Sequence, residues 1–305
     1  MGWAHRVAYR ALRPLLFAFD AERVHHWTID RLAEASDRGG LLRQLITLRR
    51  FDDPVEVAGL RFPNRVGLAA GLDKEARCIA AFAAMSFGFI EVGSVAPRAE
   101  TWSQPPRIDR LPDARALINR IGLHRGGIEA LCAALERRPA PADSRSAIPI
   151  RLGVNLACNV ATPAEQAIDD YAIGLQRTAA RADYFAINLS NPNAPNRHVP
   201  TERAALADWM ARLDEKRIAY ARPGHRPAPL FLKISPDLGD EAAEQLADAL
   251  KMHTAHPHPA SLRWGLIVAN TSARREGLEH LAQAPRPGGL SGAPLKPLAD
   301  RRTRM

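Results

Sequence analysis

The 305-residue chain is 46% apolar and 25% charged, the balance of a soluble globular protein long enough to bury a large core in one big α/β domain or two ordinary ones. Its formal net charge of +9 invites a nucleic-acid reading, but the basic residues are scattered and the few aromatics form no stacking row, so no nucleic-acid partner is expected. Anionic small molecules or an anionic bilayer suit such a surface equally well.

In chain order, residues 2–50 come first and differ from the rest. Val7, Leu12, Leu15, Leu16, Phe17 and Phe19 share a segment with Arg6, Arg10 and Arg13, and Pro14 is expected to interrupt it. A second helical pattern runs from about Ala21 to Ala35, with Val24, Trp27, Ile29 and Leu32 apolar. Two short amphipathic helices of this kind suit either a membrane face or a cap docked on the main domain. His25 and His26 read as structural or interfacial residues, not metal ligands.

From about residue 58 apolar strands alternate with helices. Strands are expected near 66–70, 88–95, 149–156, 184–190, 229–235 and 265–271, and helices near 73–86, 124–137, 163–181, 201–220 and 239–254. Continuous apolar strands joined by helices mean a parallel sheet covered on both faces. The expected class is α/β of the (β/α)8-barrel type, with about six βα units where a closed barrel needs eight. Residues 138–146 and 221–228 read as Pro- and Arg-rich connections without a domain break. Cys78, Cys132 and Cys158 are far apart and in no paired motif, which argues against a disulfide framework or zinc site and fits a reducing cytoplasm. No run reaches transmembrane length and no signal peptide is visible.

Polar groups gather at the expected strand ends. Gly67-Leu-Ala-Ala-Gly-Leu-Asp-Lys74 closes the first strand; its glycines admit a flat ligand and Lys74 sets a cation beside it. Asn119-Arg-Ile-Gly-Leu123 is expected on a loop after the second strand, Asn155 ends the third, Asn188 to Asn193 follow the fourth and Asn270-Thr271 the sixth. Converging carboxamides, with donors and an acceptor each, suit a planar ligand bearing amide or imide groups. Lysine stands at only five positions, and Lys233, inside an apolar strand, needs an anionic or strongly accepting partner.

Together with Ile90-Glu-Val-Gly-Ser-Val-Ala-Pro-Arg98, Lys233-Ile-Ser-Pro-Asp-Leu238 and Gly288-Gly-Leu-Ser-Gly-Ala-Pro-Leu295, these segments resemble the dihydroorotate dehydrogenase family in register along the chain. The N-terminal helices point to its quinone-dependent, membrane-associated class. The resemblance implies a 1–50 membrane- and quinone-associated extension on a 51–305 barrel that binds FMN. It also implies oxidation of dihydroorotate to orotate, quinone as electron acceptor, and a place at the inner face of the cell membrane, with no metal and no obligate protein partner. Carried over, Ala70, Gly71, Leu72, Asp73, Ser94, Asn155, Asn188, Lys233, Ala269 and Gly292 line the flavin. Lys74, Asn119, Arg120, Ile121, Gly122, Leu123, Asn188, Asn193, Asn270 and Thr271 hold the substrate, with Lys74 on its carboxylate.

Three departures from the pattern bear on activity. Asn191 stands where this class has a serine base, and Ser190, on the opposite side of an extended segment, does not replace it. His124, where asparagine is usual, is expected to face solvent. Ala157-Cys-Asn-Val160 lacks two lysines of the family loop, and Leu123 and Ala269 replace an aromatic ring and a hydroxyl. The segment Arg301-Arg-Thr-Arg-Met305 shows neither apolar period nor cap. It reads like an out-of-frame or premature end, and the two last phosphate-binding strand ends that the resemblance implies are missing, which is expected to weaken FMN binding. The alternative reading is an inactive paralogue or a repurposed flavin-binding protein.

Overall fold

A computed structural model describes residues 3–38, 44–48, 51–100, 104–137, 150–190, 202–221, 224, 226–255 and 262–304. Six parallel strands form the central curled sheet: β3 (Gly67–Leu68), β4 (Phe89–Val95), β7 (Arg151–Leu156), β8 (Tyr184–Asn188), β9 (Leu230–Ile234) and β10 (Trp264–Val268), in the order β10-β9-β8-β7-β4-β3. Each strand neighbours the next in sequence, as right-handed crossovers through outer helices dictate. Near-continuous burial along β4, β7, β8 and β9 explains why apolar residues in these segments run consecutively and do not alternate.

The crossovers are α3 (Ile79–Ala84), α4 (Gly127–Glu136), α5 (Ala167–Thr178), α6 (Arg203–Ala219) and α7 (Asp240–Ala255). Asp73 starts the first of them: its Oδ1 accepts from the Arg77 N–H at 2.8 Å and its Oδ2 from the Cys78 N–H at 2.9 Å. Asp240 and Glu241 occupy the first turn of α7, where the exposed backbone N–H groups favour negative charge. At the amino ends of the strands a hairpin, β1 (Val55–Val57) with β2 (Leu60–Phe62), sets Phe62 against Tyr184, Phe89 and Phe231 and plugs the interior. The three cysteines are buried and unbridged.

Two features close the other end. A three-stranded antiparallel sheet, β5 (Ile108–Leu111), β6 (Ala116–Asn119) and β11 (Gly289–Gly292), has β6 at its centre. Asn119 is thus the last residue of a strand and not part of a loop, because Gly289 and Ile108 pair with it from both sides. Outside this sheet lie α1 (Trp3–Ala18) and α2 (Ala21–Arg38). Pro14 does not interrupt α1, which runs through it to Ala18. No helix among the described residues is long and apolar enough to cross a membrane.

Helix α2 is fixed to the sheet by a buried pair. Glu22 accepts from the Arg107 backbone N–H at 2.9 Å and from its Nε at 2.7 Å, and also pairs with Nη2. Both residues are buried. Burial pushes the Glu22 carboxyl up, but Arg107's hydrogen bonds and charge outweigh it and hold the group below its ordinary value. The chain from Lys296 is helical. It forms helix α8 (Lys296–Arg304), with Arg301 and Arg302 both paired to Asp240 and Arg302 donating to the Leu238 carbonyl. These contacts are charged, so an apolar-period reading does not detect them.

Candidate active site at the carboxyl ends of the strands

A cavity of about 440 Å³ opens where the parallel strands end beneath the antiparallel sheet. It gathers Ala70, Gly71, Leu72 and Lys74 from the turn after β3, Ser94 from β4, Asn155 from β7, Asn188 from β8 and Lys233 from β9. Ala269, Asn270 and Thr271 after β10 join them, as do Asn119, Ile121, Gly122 and Leu123 at and after β6. Asp73, Arg120 and Gly292, expected at the ligands, are not in its wall. Asp73 is spent on the start of α3, and Arg120 reaches Asp109 at 2.7 Å and the Pro287 carbonyl at 3.3 Å. Gly292 lies against Arg115 and Ala116, while neighbouring Ser291 and Leu295 reach the cavity instead. Asn191 and Asn193 fall outside the described residues.

The asparagines are wired together. Asn155 Nδ2 donates to Glu91 Oε1 at 2.9 Å, and its Oδ1 accepts from the Ser94 hydroxyl. Ser94 Oγ accepts from Asn188 Nδ2 at 2.9 Å, and Asn188 Oδ1 accepts from Asn270 Nδ2 at 3.2 Å. The row therefore crosses four strand ends as one chain of hydrogen bonds.

Lys74 Nζ donates to the Gly122 carbonyl, tying the first strand's turn to the loop after β6. Burial, with the Arg107 charge adding to it, lowers the Lys74 ammonium to about 8. An anionic ligand oxygen would restore a full charge there. Lys233, buried in β9, has its anionic partner within the protein: Nζ lies 3.2 Å from Glu91 Oε1. Glu91 escaped the sequence reading, although an acid inside the apolar run Phe89–Val95 was the available signal.

Two histidines also need placing. His25 of α2 lines the cavity, and burial, then the charges of His26 and Lys74, lower its pKa. His124 does not face solvent as expected: it is 4% exposed. Its Nδ1 accepts from the Gly126 N–H at 3.0 Å, and its Nε2 is buried without a hydrogen-bond partner. It lines a separate hollow with Glu75 and Ser36, on the far side of the loop whose Leu123 faces the main cavity. Ser190 Oγ donates to the Lys233 carbonyl at 3.2 Å.

The cavity suits a flavin ring by its shape and its donors. Gly71 has φ +109°, a conformation that excludes a side chain without strain, and a Cβ there would project into open space. Backbone can thus approach a ring system closely, with Asn188 and Lys233 in the cavity wall beside it.

Fold and site together define a barrel-type α/β protein with a cavity at the carboxyl ends of its parallel strands. The dihydroorotate dehydrogenase family model matches residues 54–304. The dihydroorotate dehydrogenase (quinone) of Polaromonas naphthalenivorans (strain CJ2) is 41% identical over 293 residues, 96% of this chain and 81% of that protein. That of Acidovorax sp. (strain JS42) is 42% identical over 287 residues, 94% and 79% respectively. Among solved structures, ligand-free DHODH from Eimeria tenella superposes with a TM-score of 0.75 at 31% identity, over 91% of this chain and 77% of that one. The same protein in complex with ferulenol gives 0.77 at 30% identity, over 93% and 75%. The chain belongs to the dihydroorotate dehydrogenase family.

Proposed function

We propose that this chain binds FMN and dihydroorotate in the cavity, oxidises dihydroorotate to orotate in pyrimidine biosynthesis and passes the electrons to a quinone. The observation that carries this is the meeting of Lys74, Lys233 and the row Asn155, Asn188, Asn270 in one hollow at the strand ends. Lys74 holds the substrate carboxylate, and Asn119, Asn188, Asn270 and Thr271 satisfy the ring N–H and C=O groups. The backbone around Ala70 and Gly71, with Leu72, Ser94, Asn155, Lys233 and Ala269, lies against the flavin.

FMN, when bound, supplies the two-electron oxidant that the side chains lack. The protein's own task is to orient the substrate, exclude water and accept the C5 proton. For that last task Asn191 has no useful basicity, His124 lines a separate hollow and Ser190 Oγ is committed to the Lys233 carbonyl. Proton removal is therefore slow in this chain, by up to the factor of about 10²–10⁴ that a positioned base contributes.

Residues 1–50 form the membrane- and quinone-associated extension of a 51–305 barrel. Helices α1 and α2 leave Leu12, Leu15, Phe19 and Trp27 more than half exposed, a face suited to the cytoplasmic leaflet. His25 brings α2 to the cavity edge, so an acceptor held by these helices reaches the flavin.

Purified protein tests the reading. A yellow sample with an FMN absorption band that bleaches when dihydroorotate is added without oxygen supports it. A flavin band that dihydroorotate leaves unchanged would identify a repurposed flavoprotein, and a colourless protein that takes up no FMN an inactive paralogue.

A further inference from the structure

The row of asparagines has a direction, and one residue sets it. Glu91 points from β4 into the interior below the cavity and is 4% exposed. Its Oε1 is shared between Asn155 Nδ2 at 2.9 Å and Lys233 Nζ at 3.2 Å. Its Oε2 faces the Tyr184 hydroxyl at 3.5 Å, whose ring lies where a Cβ on Gly153 would stand. A carboxylate only accepts, so Asn155 must turn its amide nitrogen down and its carbonyl up. Ser94 must then donate to that carbonyl and accept from Asn188.

We propose that Glu91 is a positioning residue for the flavin. It counterbalances the Lys233 charge beneath the ring and fixes the donor–acceptor sense of the Asn155–Ser94–Asn188 row. This rests on the FMN reading above and goes beyond it, since Glu91 does not line the cavity. A buried ammonium without a counterion favours added electron density on its neighbour. With Glu91 in place that pull is moderated, and the flavin's affinity for electrons is set lower than Lys233 alone would set it.

The test is sulfite, which adds to the oxidised flavin ring and leaves it negatively charged, measured by bleaching of the FMN band in the holoprotein. Glu91→Gln keeps an acceptor oxygen for Asn155 and Lys233 but removes the charge. It is expected to bind sulfite about tenfold more tightly, equivalent to about 30 mV upward in a two-electron midpoint potential. Lys233→Met should shift affinity the opposite way, and Glu91→Gln in that background should add little. Tyr184→Phe, which leaves the Glu91 charge in place, should match wild type. Should the Gln variant not fold, Glu91→Asp withdraws the charge by one methylene and is expected to fall between the two.

General damage to the site would weaken sulfite binding, so tightening separates a positioning role from a structural one. Unchanged or weaker sulfite binding in a flavin-loaded Gln variant, or in the Asp variant where that one replaces it, overturns the inference alone. A wild-type protein that takes up no FMN overturns the flavin reading and this inference with it.

Discussion

Burial, with the Arg107 charge adding to it, brings the Lys74 ammonium down to mildly alkaline pH. With its ammonium at about 8, orotate affinity should be level below that pH. Above it, affinity should fall by up to tenfold per pH unit as the free protein loses the cation. Isothermal titration from pH 6.5 to 9.5 checks this, and Lys74→Met should bind weakly with no such slope. His124 predicts a different pH effect. Burial lowers its pKa, with the Lys74 charge adding to the shift against the opposing pull of Glu75, so the folded protein keeps the ring neutral while the unfolded chain protonates near 6.5. Stability should therefore decline as pH falls below about 6.5, until the folded value is reached. His124→Asn should flatten that stretch of a denaturant-midpoint profile and also remove the buried unpartnered nitrogen, a group costing about 1–3 kcal/mol.

At the scale of elements, the Glu22–Arg107 pair holds α2 to β5. Glu22 is depressed when folded, so its contribution is complete above its ordinary value of 4.5 and disappears as pH falls through the lower folded value. Acid should loosen α2 before the barrel, read as Trp27 fluorescence and new proteolysis within residues 21–38. Glu22→Ala should cause the same loosening at neutral pH, with a loss of about 3–5 kcal/mol because it leaves Arg107 buried and unpaired. The exposed face of α1 and α2 makes a second element-level prediction: co-sedimentation with anionic vesicles that Leu15→Asp and Phe19→Asp weaken at least tenfold.

What could be read from sequence also divides by element. The strands around residues 89–95, 151–156, 184–188, 230–234 and 264–268 announce themselves because burial on both faces demands unbroken apolar runs. The antiparallel strands Ile108–Leu111 and Ala116–Asn119 do not. They are four residues long, one is half-exposed, and the third partner lies some 170 positions later. At the site, Lys74, Asn155, Asn188 and Asn270 were visible as polar groups ending apolar segments. His25 and Glu91 were not, since one comes from a helix outside the barrel and the other acts from below the ligands.

For the whole molecule, FMN bound as proposed should act as a stabilising ligand. At a hundredfold excess over its dissociation constant it should add about 2.7 kcal/mol, raising the midpoint of thermal unfolding by several degrees. The shift should shrink in Lys233→Met. A scan in which FMN leaves the midpoint unmoved would contradict cavity binding.

The canopy over that hollow also orders events during synthesis. Its middle strand, Ala116–Asn119, is made early, yet one of its two flanks, Gly289–Gly292, and the rim residue Leu295 emerge only some 170 positions later. Until then the nascent chain can offer the flavin a floor and walls but no finished roof. Capture of the proposed cofactor on the ribosome should consequently wait for residues 289–295, and arrest before position 289 should leave a chain that releases FMN readily.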